Sequence, residues 1–146
     1  MIKNYMKLAI KLAKDAKSKN EIPVGCVIVD DNNKLVSYAS NSTKSNYDPT
    51  GHAEIIAIRN ACKKLKTTKL INFSIYITLE PCQMCVAAIV NTGIKKIYFG
   101  AHSDDLIIYN SKLRNYFIKN KDFEFIGGFE EDYCSNLVKD FFKKKR

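Results

Sequence analysis

The chain has 146 residues, 46% of them apolar, which suffices for one compact domain over residues 1–146 and requires no second one. Its formal net charge of +9, from 24 basic against 15 acidic side chains, favours an anionic partner, with nucleic acid the natural candidate. The opening Met1-Ile2-Lys3-Asn4-Tyr5-Met6-Lys7 scatters lysines through its apolar positions, so neither a signal peptide nor a membrane span is expected there. A soluble, cytoplasmic protein is the expectation. The five cysteines are odd in number and irregularly spaced, which argues against a disulfide framework and for a reducing compartment.

Residues Ile2 to Lys19 place Tyr5, Met6, Ala9, Leu12, Ala13 and Ala16 at steps of three and four, predicting an amphipathic helix. Pro23 to Val29 is short, β-branched and punctuated by Pro and Gly; Asp30 to Asn33 leads from it into Leu35 to Ala39, and together they predict a β-hairpin. Asn41 to Pro49 is a polar loop. The nearly all-apolar run Ala53 to Leu65 then predicts a buried helix with His52 and Glu54 in its first turn. Phe73 to Leu79 is a strand, and Pro81 is expected to open a second buried helix that Gly93 stops. Ile97 to Gly100 is a further strand. A helical piece is expected near Leu113 to Ile118, a weaker strand at Phe123 to Ile126, and a last helix from Asp132 to Lys145. Strand and helix alternate through the middle of the chain, predicting a sheet with parallel pairs covered by helices on both faces.

Two short segments carry chemistry. His52-Ala53-Glu54 and Pro81-Cys82-Gln83-Met84-Cys85 supply one imidazole, two thiolates and a carboxylate. A Cys-x-x-Cys pair sets both sulfurs on one side of a turn at tetrahedral spacing, and His52 can complete three protein ligands to a catalytic zinc with a fourth position open to water. The first turns of two helices favour thiolate over thiol, because backbone N–H groups and the positive dipole ends converge there. Zinc lowers the pKa of its water to about 7, and Glu54, two residues past the imidazole, is placed to carry protons. Cys26, Cys62 and Cys134 sit among apolar neighbours and read as small core residues.

The arrangement H-x-E followed by P-C-x-x-C is that of the zinc-dependent deaminases. More closely, Ile22-Pro23-Val24-Gly25, Asp48-Pro49-Thr50-Gly51-His52-Ala53-Glu54, Thr78-Leu79-Glu80-Pro81-Cys82-Gln83-Met84-Cys85, Phe99-Gly100-Ala101 and Phe141 to Arg146 resemble the tRNA-specific adenosine deaminases in order and spacing. The resemblance spans almost the whole chain. It implies a cytidine deaminase-like three-layer α/β/α sandwich around a mixed sheet of about five strands, a homodimer, and one zinc per subunit. It also implies conversion of the wobble adenosine of a tRNA anticodon loop to inosine. Carried over by position, His52, Cys82 and Cys85 would hold zinc and Glu54 would be the acid and base. Asn41 would hydrogen-bond the extruded base, and Ile22 and Ala101 would wall the pocket. Phe142, beside the basic tail Lys143 to Arg146, would offer a stacking face to a single-stranded loop, while Phe141 reads equally as core.

After Phe-Gly-Ala the family usually continues Arg-Asp-x-Lys and then glycines, whereas this chain has His102-Ser103-Asp104-Asp105-Leu106-Ile107-Ile108-Tyr109. His102 is expected to meet RNA or solvent. Two other readings of the same residues are a deaminase of a free nucleobase or nucleoside such as guanine or cytosine, and a non-catalytic RNA-binding module stabilised by zinc. The charge favours RNA over a free base. Three well-placed ligands instead of four favour a catalytic zinc over a structural one.

Overall fold

Alternation along each strand sets up a sheet with two greasy faces. In β1 (Gly25–Val29), Val27 and Val29 point to one side and Cys26 and Ile28 to the other, and all five residues of the strand are buried. In β3 (Ser74–Leu79) and β4 (Lys96–Ala101), Tyr76 and Tyr98 lie on the side of Val27, while Ile75, Ile77, Ile97 and Phe99 lie on the side of Ile28. A sheet buried on both faces needs a helical layer on each. The computed structural model, which describes residues 2–103 and 119–144, shows both layers.

Five strands run in the order β2-β1-β3-β4-β5, with β2 at Leu35–Ser40 and β5 at Glu124–Ile126. β1 is antiparallel to both β2 and β3, whereas β3, β4 and β5 are mutually parallel, so the sheet is mixed. Helix α1 (Ile2–Ser18) lays Met6, Ala9 and Leu12 on the tyrosine face, and α4 (Glu131–Lys144) packs beside it on β4. Helices α2 (Ala53–Leu65) and α3 (Gln83–Thr92) cover the opposite face and touch each other. The predicted α/β/α sandwich and its hairpin are thus present. The helical piece expected at Leu113 to Ile118 lies outside the described residues. Among those described, no helix is long and apolar enough to cross a membrane.

Two glycines fix how the layers meet. A Cβ at Gly25 would stand 1.9 Å from the carbonyl oxygen of Ala9, so α1 rests on β1 at backbone distance. Gly93 ends α3 at φ +87°, the left-handed cap that glycine adopts without a Cβ penalty.

Antiparallel pairing of β1 with β3 gathers one end of the sheet into a site. The start of β1 and the end of β2 lie with the ends of β3 and β4, and α2 and α3 begin there too. Pro81 stands two residues before Gln83, where α3 begins, correcting its expected place as the first helical residue. Cys82 is the N-cap instead, with φ −73° and ψ 173°. An N-cap must be extended for its carbonyl to receive the first helical bond, and the Cys82 carbonyl accepts from Val86 N–H at 2.8 Å.

Candidate metal centre and pocket

Helices usually begin on Ser, Thr, Asp or Asn, whose side chains bond the free N–H groups of the first turn. Here α2 begins on His52 and α3 on Cys82, and neither side chain makes a capping bond. Both are turned to another use. His52 Nδ1 lies 3.6 Å from Cys82 Sγ and 3.5 Å from Cys85 Sγ. The three donor atoms lie within 4.8 Å of one another. Zinc bonds of about 2.3 Å to sulfur and 2.05 Å to nitrogen, opened at the tetrahedral angle, separate S from N by about 3.6 Å. The residues present therefore fit a zinc ion. No other group of three or more His, Cys, Asp or Glu side chains among the described residues is so disposed.

The protons of the cluster follow its geometry. A hydrogen bond from Cys85, with a further one from His52, holds the Cys82 thiol down to about 4 against its burial. The Cys85 thiol is pushed far up, because its proton is shared with Cys82 and because it is buried. The Cys82 thiolate in turn raises the His52 imidazole. A divalent cation held by the two sulfurs would bind both as thiolates, displacing the proton they share.

Glu54, in the first turn of α2, is 4% exposed, and burial pushes its carboxyl above the ordinary value. It shares a cavity of ≈100 Å³ with His52, Cys82, Asn41, Ile22, Val24, Leu79, Glu80 and Ser103. Asn41 is 5% exposed, its backbone N–H is spent on Val24 O, and its side-chain Nδ2 has no partner. A buried donor left open inside a pocket is costly unless a ligand accepts from it.

His52, Glu54, Cys82, Cys85, Asn41 and Ile22 are therefore brought together as the sequence suggested. Ala101 is not. It pairs with Leu79 inside the sheet, fully buried, and its carbonyl accepts from Glu80 N–H, so the pocket wall is formed two residues later by Ser103. Phe142 lies on α4, 37% exposed and edge-on to the buried Phe141, apart from the cavity lining. His102, expected to face RNA or solvent, pairs through Nδ1 with Glu131 at the start of α4 and sets its edge on Phe99. Cys26 and Cys134 are buried as expected and Cys62 is partly so; all are free thiols.

Two buried carboxylates escaped the sequence reading. Glu80, 3% exposed, accepts from both the N–H and the hydroxyl of Ser103 at 3.0 Å, fastening that residue to the pocket. Glu21, 1% exposed, accepts from Lys44 N–H, Ser45 N–H and the Ser45 hydroxyl. Glu80 stood in plain sight between a strand and Pro81-Cys82. Glu21 offered no local signal, because its partners lie more than twenty residues away.

The sandwich, the pair of ligand-bearing helix starts and the buried carboxylate between them define a zinc-dependent deaminase of the cytidine deaminase-like class. Residues 1–101 match the cytidine and deoxycytidylate deaminase zinc-binding region. A tRNA-specific adenosine deaminase of Buchnera aphidicola subsp. Baizongia pistaciae is 44% identical, over 99% of this chain and 90% of its own length. A solved structure from a study of A-to-I editing by tRNA:A34 deaminases at the wobble position superposes with a TM-score of 0.79 at 31% identity, covering 92% of this chain and 99% of that one. A guanine deaminase from Bacillus subtilis, also 31% identical, superposes at 0.67 over 80% of this chain and 76% of its own. The chain belongs to the tRNA-specific adenosine deaminase family.

Proposed function

We propose that the protein, acting as one unit over residues 1–146, hydrolyses adenosine to inosine and ammonia at the wobble position of a tRNA anticodon loop. The single observation that carries this reading is the cavity in which a three-donor metal cluster, the buried Glu54 and the unpartnered Asn41 amide meet. His52, Cys82 and Cys85 would hold a zinc ion, which when bound would lower the pKa of a water to about 7 and so make hydroxide available at neutral pH. Glu54 takes the proton from the water, holds it on a carboxyl oxygen, and delivers it to the ring nitrogen beside the carbon under attack. The carboxylate, having given that proton up, then takes a second one from the hydroxyl group added to the ring carbon and passes it to the departing amine, which leaves as ammonia while the carbonyl forms. Its burial suits it to both duties, since a carboxyl raised from its ordinary value holds the proton between them.

Asn41 donates through Nδ2 to an acceptor on the base. Ile22, Val24 and Leu79 exclude water and pack on the ring. The base must leave its stack to enter so enclosed a site, and an anticodon loop presents such a base unpaired. The formal charge of +9 suits an RNA ligand. Phe142, half-exposed on α4 beside Lys143 and Lys144, supplies a stacking face outside the cavity. A homodimer in the cytoplasm, with one zinc per subunit, completes the reading. Relatives that cover both chains almost end to end favour it over deamination of a free base.

The test is ammonia release. The protein loaded with zinc should release ammonia from an anticodon stem-loop carrying adenosine at the wobble position, and inosine should appear there on sequencing. Turnover of guanine or cytosine with none of the stem-loop would overturn the assignment.

A further inference from the structure

The loop from Asn41 to Gly51 is bound along its length. Ser42 N–H donates to Gly51 O and closes its base, Asn46 N–H to Ser42 O, and Asp48 N–H to Thr43 O. The Asp48 carboxylate accepts from the Thr50 N–H and hydroxyl and pairs with Arg59 at 3.6 Å. Glu21 receives the Lys44 and Ser45 N–H groups from below. Both ends of the loop are in the pocket lining, at Asn41 and at His52. The loop is therefore a rigid rim of the reaction pocket.

On this rim stands Tyr47, 95% exposed, the largest exposure among the large apolar side chains described. Its φ is +50°, in the left-handed region that a bulky residue enters only at a cost in free energy. Of the described non-glycine residues with positive φ, three are asparagines, which tolerate the region, and Tyr47 alone is aromatic. An exposed aromatic in isolation is unremarkable. Here the ring is lifted clear of the protein on strained, hydrogen-bonded backbone, in a loop that leaves the cavity at Asn41 and returns to it at His52, with the exposed Lys44 on the same loop. Unpaired bases stack on such faces, and lysine meets their phosphates.

Resting on the reading that the substrate is a single-stranded RNA loop, we propose that Tyr47 is a stacking platform for a nucleobase flanking the target adenosine. Glu21 acts through the loop as a positioning residue that holds the platform in place.

Steady-state deamination of the stem-loop by Y47A, Y47F and Y47W tests this. Y47A should raise KM roughly tenfold with kcat and zinc content unchanged, while Y47F and Y47W retain the KM of the parent, because stacking uses the ring face and not the hydroxyl. E21A should raise KM in the same sense, and the Y47A/E21A double variant should fall short of the product of the two effects. A 2-aminopurine placed at the flanking positions should lose fluorescence on binding to the parent protein and less on binding to Y47A. An unchanged KM in Y47A, an equal loss in Y47F, or a shift of Y47A from dimer to monomer would overturn the proposal; the last would assign the ring to a subunit interface. Failure of the parent protein to deaminate the stem-loop would remove the substrate assignment and this proposal together. Parental turnover with an indifferent Y47A would remove this proposal alone.

Discussion

Glu54 sits in the same turn of α2 as His52 without belonging to the three-donor cluster, and this division of labour is testable. The E54A variant should keep its zinc, measured by atomic absorption, and its fold, measured by circular dichroism. Its ammonia release should fall at least about a hundredfold, the scale of a lost general acid and base. Loss of zinc together with activity would make Glu54 a ligand. N41A should leave zinc in place and lower kcat/KM by roughly tenfold, as expected for one lost hydrogen bond in a buried site. The ligands and Glu54 were legible in the sequence because metal chemistry admits few residue types and fixes their spacing. Asn41 and Ile22 were legible only through resemblance. Glu21, Glu80 and Ser103 were not read as parts of the site, since a buried carboxylate acquires its meaning from the loop that folds onto it. A small residue such as Ala101 looks alike in the sequence whether it faces a cavity or a neighbouring strand, and its pairing with Leu79 emerges only from the sheet.

At the scale of elements, helix periodicity and strand alternation sufficed to predict α1, the hairpin, α2, α3 and α4 nearly to the residue. What they left open was which ends meet. The approach of α1 to β1 at backbone distance is one such contact, and Gly25 makes it possible. The G25A methyl would collide with backbone and not with a flexible side chain, so the helix must lift from the sheet. A loss of about 1–3 kcal/mol in urea unfolding is expected, the usual cost of overpacking. A change within measurement error would mean that α1 can slide without penalty. The same contact explains why a glycine opens a strand otherwise made of Cys, Val and Ile, a point that composition alone cannot supply.

For the whole molecule, pH and salt report on different parts. Burial opposes the charge of Glu21, but its bonds from Ser45 and Lys44 outweigh that cost and hold its carboxyl below the ordinary value. A carboxyl lowered on folding stabilises the protein above its unfolded pKa, and that contribution is lost as pH falls through the folded value. E21Q should therefore be less stable than the parent near neutrality, with the gap narrowing in acid below about pH 4.5, the ordinary value for the group. A gap independent of pH would assign the effect to packing. Binding of the stem-loop should weaken linearly in log Kd against log salt, by about 0.7 for each phosphate engaged on a single strand. A flat salt profile would deny the positive charge any part in recognition.

The imidazole of the cluster and its first sulfur are 30 residues apart in the chain, and β3 runs through the interval. No local folding event can assemble them. A molecule that has captured its ion has already laid down the central strand and docked two helices side by side on one face of the sheet. Metal stoichiometry in a purified sample thus counts correctly wound chains, whatever their turnover, and an inactive variant that still titrates one ion per chain is damaged in its chemistry and not in its architecture.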